Sequence, residues 1–154
     1  MWSKVIPTVF GILCLVVIIE SKVAEPDNPD AYYKCFTYAE CVSDGSANQK
    51  VLQCFKDVPM KNLYPIFTHV NSTLPMSYKY HTKDVMEAIQ EYCNESGDNR
   101  VKAFELNFQS LFMYQDMVCD SSNMPTQCQY TEQLLNCFFN LLDKLMGSNK
   151  CKLN

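Results

Sequence analysis

Cysteine constrains this chain more than any other residue type. Nine occur in 154 residues. Cys14 lies inside an apolar opening, and the other eight (Cys35, Cys41, Cys54, Cys93, Cys119, Cys128, Cys137 and Cys151) are spread over the remainder. An even set in an exported chain forms a disulfide framework, here four bridges whose partners the sequence alone leaves open. A metal site would want close Cys and His pairs. The chain has no C-x-x-C, and His69 and His81 stand apart from the cysteines and from each other, so neither a metal nor a cofactor is expected.

The opening supports export. Met1 to Lys4 carries one positive charge, and Val5 to Ile19 is an uncharged stretch dominated by Val, Ile and Leu. That is the layout of a secretory signal peptide, with Ser21 as the small residue at the cut and the mature chain beginning at Lys22. The uncharged run is fifteen residues long and contains Pro7 and Gly11, short of the roughly 20 apolar residues that span a bilayer. The reading is a signal peptide over 1–21 and one helical, cysteine-rich domain over 22–154, secreted, with no membrane anchoring. Loss of Lys4 and Glu20 removes one charge of each sign and leaves the formal net charge at −4. The basic residues are scattered, which excludes nucleic acid as a partner and leaves a protein target or a small molecule.

Apolar residues recur at helical spacing, with no run of strand alternation. Asn28 caps a first helix with Pro29 in its first turn, and Tyr32, Cys35, Ala39 and Val42 share one face until Gly45. Ser46 to Gln49 reads as a capping box that opens a second helix, ended by Pro59. The stretch from Pro59 to His81, with Pro65, Pro75 and four aromatics, reads as an ordered, irregular crossover with one helical turn near Leu63 to Val70. Thr82 caps a third helix and Asp98 a fourth. A fifth follows the turn at Ser121 to Pro125 and ends at Gly147. The expected fold is all-α, a compact disulfide-stapled bundle of about five helices.

Helix geometry limits the bridges. Cys128 and Cys137 would sit about 13 Å apart along one helix, which excludes their pairing, as it does for Cys35 with Cys41. A symmetric first hairpin would join Cys35 to Cys54. The turn near Asn123 would join Cys119 to Cys128. If the fifth helix returns along the fourth, Cys151 meets Cys93, and Cys41 is left for Cys137. The sequons at Asn71 and Asn94 mark glycosylation sites, Asn71 in a loop being the better placed.

Catalytic signatures are absent from the sequence: there is no G-x-S-x-G, no phosphate-binding G-x-x-x-x-G-K-[ST] loop and no H-E-x-x-H. Neither histidine reads as an oriented base paired with a carboxylate, and Glu87, Glu91, Asp116 and Glu132 read as acids on solvated helix faces. The expectation is a protein without enzymatic activity. An apolar stripe remains, with Phe104, Phe108, Leu111 and Phe112 on the fourth helix and Phe138, Leu141 and Leu142 on the fifth. It is either plain core or the wall of a cavity for a small hydrophobe, which would be closed and at least several hundred cubic ångströms. Tyr78, Tyr80, Tyr92 and Tyr114 would supply polar ends within such a pocket. Alternatively Tyr32, Tyr33 and Tyr38 form an exposed patch for a protein partner.

Secretion, acidity, helicity and interlocking cysteines together resemble the insect odorant-binding proteins, and Cys128 and Cys137 have that family's spacing between its last two cysteines. The family's close central cysteine pair is absent here. The stretch Lys34-Cys35-Phe36-Thr37-Tyr38-Ala39-Glu40-Cys41, followed by Leu52-Gln53-Cys54, more closely resembles cysteine-rich helical proteins secreted into arachnid venom and haemolymph. The first resemblance implies a carrier of small hydrophobic ligands; the second implies a venom or haemolymph component acting on a protein partner without catalysis.

Overall fold

The structure is a computed structural model, and it describes residues 22–153. The expected leader, with Cys14, lies outside the described residues. Among those described there are six α-helices and no strand: α1 (Pro29–Thr37), α2 (Ser46–Lys56), α3 (Met60–Thr73), α4 (Val85–Asn94), α5 (Gly97–Cys119) and α6 (Pro125–Gly147). The chain is an all-α bundle stapled by four disulfides, with one helix more than the periodicity suggests.

Local chemistry explains most helix ends. The Asn28 side chain accepts a hydrogen bond from the Ala31 N–H at 3.3 Å, and Pro29 occupies the first turn, where its missing donor costs nothing. α1 then widens into a π-helical turn, Tyr38–Val42, before Gly45 reverses the chain at φ 102°. Because Gly45 itself takes the cap position, α2 starts directly at Ser46 and the capping box expected from that residue does not form; Asp44 Oδ1 accepts from the Ser46 N–H instead. At α4 the cap is Asp84, which accepts from the Met86 and Glu87 N–H groups. Thr82, the expected cap, holds the Asp84 N–H at 3.0 Å. Asp98 falls within the first turn of α5, one residue after Gly97.

The largest departure is α3, fourteen residues of regular helix where an irregular crossover was expected. Pro65 was the misleading signal. Its ring removes one donor and crowds the carbonyl one turn earlier, on Lys61. Lys61 is exposed, so water can serve that carbonyl. Leu63, Ile66 and Val70 meanwhile bury one face at helical spacing.

α5 and α6 are each 23 residues, about 34 Å long, and form an antiparallel hairpin. Phe108 and Phe112 of α5 both meet Phe139 of α6, while Cys119 bridges Cys128 at the corner. α3 lies against this hairpin: Asn62 and Gln127 exchange amide hydrogen bonds, and the Thr73 hydroxyl donates to Ser110 Oγ at 2.7 Å. Ahead of α1, Lys22 pairs with Asp116 and Asp120, and the fully buried Gln115 donates to the Val23 carbonyl at 3.0 Å, strapping the chain to the end of α5.

The bridges are Cys35–Cys151, Cys41–Cys93, Cys54–Cys137 and Cys119–Cys128. Only Cys119–Cys128 matches the expected pairing. The expected Cys93–Cys151 contact fails because α1 lies between the end of α6 and α4. Tyr32 of α1 packs on Phe139 and donates to Asp143 at 2.7 Å, while Phe36 packs on Tyr92 and Phe104 on the other side. Each end is therefore taken by a cysteine of the first segment, Cys151 by Cys35 and Cys93 by Cys41. The expected Cys35–Cys54 pair assumed a flat hairpin. The turn at Gly45 instead lays α2 on α6, where Phe55 meets Phe138 at 5.0 Å and Cys54 meets Cys137, leaving no partner of the kind expected for Cys41.

Candidate functional site

Buried apolar residues usually coalesce into one contiguous core. Here they form three clusters. The first joins α2, α3, α5 and α6 around Leu63, Ile66, Val118 and Leu134. The second joins the first segment to the end of α6 around Cys35, Val51, Leu142 and Leu145. The third joins α4 to the start of α5 through Tyr92, Ala103 and Phe104. Between them lies a cavity of about 150 Å³, and its wall takes residues from all three clusters.

One wall is the hairpin: Phe104, Phe108 and Leu111 of α5, with Leu134, Phe138 and Phe139 of α6. The opposite wall is α3 and α4, through Leu63, Ile66, Phe67 and Val70 and then Val85, Ala88 and Ile89. Phe36 and Phe55 reach in from α1 and α2. Of the expected ligand-contacting residues, the structure brings Phe104, Phe108, Leu111 and Phe138 to the cavity, with Leu142 beside them. It does not bring Phe112 or Leu141. Phe112 stands behind the wall, edge-on to Phe108 at 5.1 Å and stacked on Phe139, and Leu141 packs into the second cluster. The cavity is smaller than the several hundred cubic ångströms expected, because phenylalanines from five helices fill most of the space between the walls. The α3 and α4 wall was missed, although Leu63, Ile66 and Val70 carry the required three- and four-residue spacing.

Three wall residues bear polar ends, Tyr80, Tyr92 and Asn107. The Tyr92 hydroxyl is engaged by the buried Thr37 hydroxyl at 2.7 Å. Burial pushes the Tyr80 phenol up to about 12, against a hydrogen bond from Asn107 that favours the opposite direction. Tyr78 packs on the third cluster, and Tyr114 faces α3, its ring 5.0 Å from His69, so these two of the four expected tyrosines lie elsewhere. Burial lowers the His69 pKa at that interface.

Tyr80 lies in the segment between α3 and α4 and is held from outside by Asn71. The Asn71 amide donates to the Tyr80 carbonyl at 3.2 Å and accepts from the Tyr80 N–H at 2.8 Å. Asn71 is thus half-buried in the last turns of α3, where its side chain braces the cavity wall, and is not in the loop expected of a glycosylation site. Asn94, the second sequon, ends α4 and is exposed. Beside Tyr80, Glu91 accepts from the His81 N–H at 3.0 Å and lies 3.2 Å from His81 Nδ1. Helical spacing along the sequence does not reveal this His–carboxylate pair, which joins a loop to a helix ten residues away. The His81 ring is almost fully exposed, and the pair staples the segment to α4 on its outer side.

The other acids picked from the sequence also make structural bonds. Glu87 accepts from the Thr82 hydroxyl and Asp116 pairs with Lys22. Glu132 lies close to Cys119 and Cys128, the one grouping of metal-ligating atoms among the described residues, but both sulfurs are spent in a disulfide. Glu40, in the π-helical turn, is the most perturbed carboxyl: burial raises it to about 7, opposed by an Asn48 hydrogen bond of 2.6 Å. Tyr32, Tyr33 and Tyr38 are half-buried, not an exposed patch; Tyr32 and Tyr33 pack on Phe139 and Phe104, and Tyr38 against the second cluster.

A second depression, walled partly by Asn62, Tyr114 and Gln127, opens among the exposed residues 123–126 and has a more polar lining than the central cavity. No helix among the described residues is long and apolar enough to cross a membrane. No protein-family model matches this chain, and no curated protein or solved structure matches it.

Proposed function

We propose that this chain is a secreted, non-enzymatic carrier of a small hydrophobic ligand, held in the central cavity between the α5–α6 hairpin and the α3–α4 wall. The carrying observation is an apolar cavity whose wall draws residues from all three buried clusters. A dry apolar cavity of this volume accepts a ligand the size of one aromatic ring, as an engineered cavity of about 150 Å³ does in another protein. The four bridges suit an oxidising, extracellular setting, and the apolar leader suits export to it. The alternative role, acting on a protein partner, loses the tyrosine patch on which it was based.

The test is calorimetric titration of the oxidised, secreted protein with benzene, alongside the variant Ala88→Leu. Ala88 is 3 % exposed and lines the cavity, so a leucine there occupies ligand space. Saturable binding at one site, lost in Ala88→Leu while the fold melts cooperatively, is the expected result. Equal binding by both proteins would place the ligand elsewhere and end the carrier reading.

A further inference from the structure

We propose that the secreted protein carries a single N-linked glycan, on Asn94, and that folding reserves the other acceptor, Asn71, as the clasp of the cavity wall. The inference rests on the export half of the reading above and is independent of what the cavity holds.

Two triplets offer the same acceptor chemistry on export, Asn71-Ser72-Thr73 and Asn94-Glu95-Ser96. In the transfer, the side-chain amide nitrogen bonds to C1 of a sugar supplied by a lipid-pyrophosphate-linked oligosaccharide. The C1–O bond to the pyrophosphate breaks, the leaving phosphate takes the electron pair, and the amide nitrogen gives up one proton to base. The product is a secondary amide with one N–H. Such an amide is planar and trans, so the sugar carbon lies on the carbonyl oxygen's side of the C–N bond and the surviving hydrogen points the other way.

At Asn71 that geometry collides with the fold. Its Oδ1 accepts from the Tyr80 N–H at 2.8 Å, and its Nδ2 donates to the Tyr80 carbonyl at 3.2 Å. A backbone N–H only donates and a carbonyl only accepts, so these two bonds fix which end of the amide is which. Both partner atoms belong to one residue. The two bonds therefore leave a single edge of the amide, and the donating hydrogen is the one beside Oδ1, where the sugar carbon of a trans amide would sit. Clasp and glycan exclude each other unless the amide turns to the disfavoured cis form. The triplet is also held at its far end, where Thr73 meets Ser110 of α5 at 2.7 Å.

Asn94 meets no such conflict. It is the exposed last residue of α4, and beyond it the chain runs extended through Glu95 (φ −67°, ψ 156°) and the exposed Ser96 (φ −140°, ψ 159°). The preceding residue, Cys93, is tied to Cys41, so a glycan here projects into solvent from a fixed corner. Transfer acts on the emerging chain, to which both triplets are open; the fold decides which product can be completed. A chain with sugar on Asn71 loses the Tyr80 clasp and with it the α3–α4 wall, and is kept out of the secreted population.

The test is peptide mapping by mass spectrometry of the full chain expressed in a eukaryotic cell line and collected from the medium, using an N-glycanase that converts each occupied asparagine to aspartate. Conversion at Asn94 and none at Asn71 is expected, with the intact protein heavier than its polypeptide by one glycan. Asn94→Gln, at an exposed position, should lose all of that added mass while still melting cooperatively. Sugar on Asn71 in the secreted, folded protein would overturn the inference, as would an unoccupied Asn94. A chain that stays in the cell with its leader attached and no sugar would overturn the export reading and this inference with it.

Discussion

The two walls of the cavity are built in opposite ways. The α5–α6 wall is two long helices joined by a short turn and closed by a bridge spanning nine residues of sequence. The α3–α4 wall is two shorter helices, one with a proline inside it, joined by a segment that contains one 3₁₀ turn, Met76–Tyr78. That second wall is fixed by long-range contacts, Asn62 to Gln127, Thr73 to Ser110 and Cys93 to Cys41, with Asn71 clasping Tyr80 nine residues further on. The first wall owes its shape to local periodicity, whereas the second owes it to being held. The cavity at their junction therefore depends most on the wall whose sequence signal is weakest.

The largest expected effect comes from cutting the covalent ties outside the hairpin. Serine at Cys35 and Cys151 opens a loop of 116 residues and should lower unfolding free energy in urea by about 5 kcal/mol, against about 3 kcal/mol for serine at Cys119 and Cys128. A reversed order would mean that the hairpin, not the long-range framework, carries the fold. Truncation in the core comes next. Ile66→Ala on α3 and Leu134→Ala on α6, both buried, should each cost about 3 kcal/mol by the same assay. A cost below 1 kcal/mol at Ile66 alone would show α3 to be peripheral to the core. Asn71→Leu removes both hydrogen bonds to Tyr80 and should cost about 2 kcal/mol. Hydrogen exchange should show the loss concentrated between α3 and α4, with the hairpin amides unmoved.

A smaller, pH-dependent effect belongs to Glu40. Its folded value of about 7 lies above the ordinary 4.5, so burial disfavours the charged form. The stability this carboxyl permits is complete below about pH 4.5 and is lost as the pH rises through about 7. Glu40→Gln should remove that slope and, at pH 8, recover on the order of 2 kcal/mol. Parallel pH profiles for both proteins would contradict the burial of Glu40.

How much was legible in the sequence follows the same division. The Asn28 cap, both long helices, their corner bridge and Phe104, Phe108, Leu111 and Phe138 as cavity residues all follow from spacing within a few turns. Pro65 concealed α3 because a single ring outweighed three correctly spaced apolar residues, although only one backbone donor is lost there. The remaining bridges were unreadable because they depend on α1 lying between α4 and the end of α6, a tertiary fact with no local signature. Asn71 is the clearest case of a side chain whose role changes on folding, since its triplet reads as a glycan acceptor while its amide serves as a clasp for Tyr80.

The most direct test of the central claim is a nuclear Overhauser measurement on the secreted, oxidised protein with benzene bound. Because the cavity lies between walls of different origin, contacts from one ligand to both Ile66 or Val70 on α3 and Phe104 or Phe138 on the hairpin are expected. Contacts confined to exposed side chains, or to one wall only, would contradict a ligand held between them.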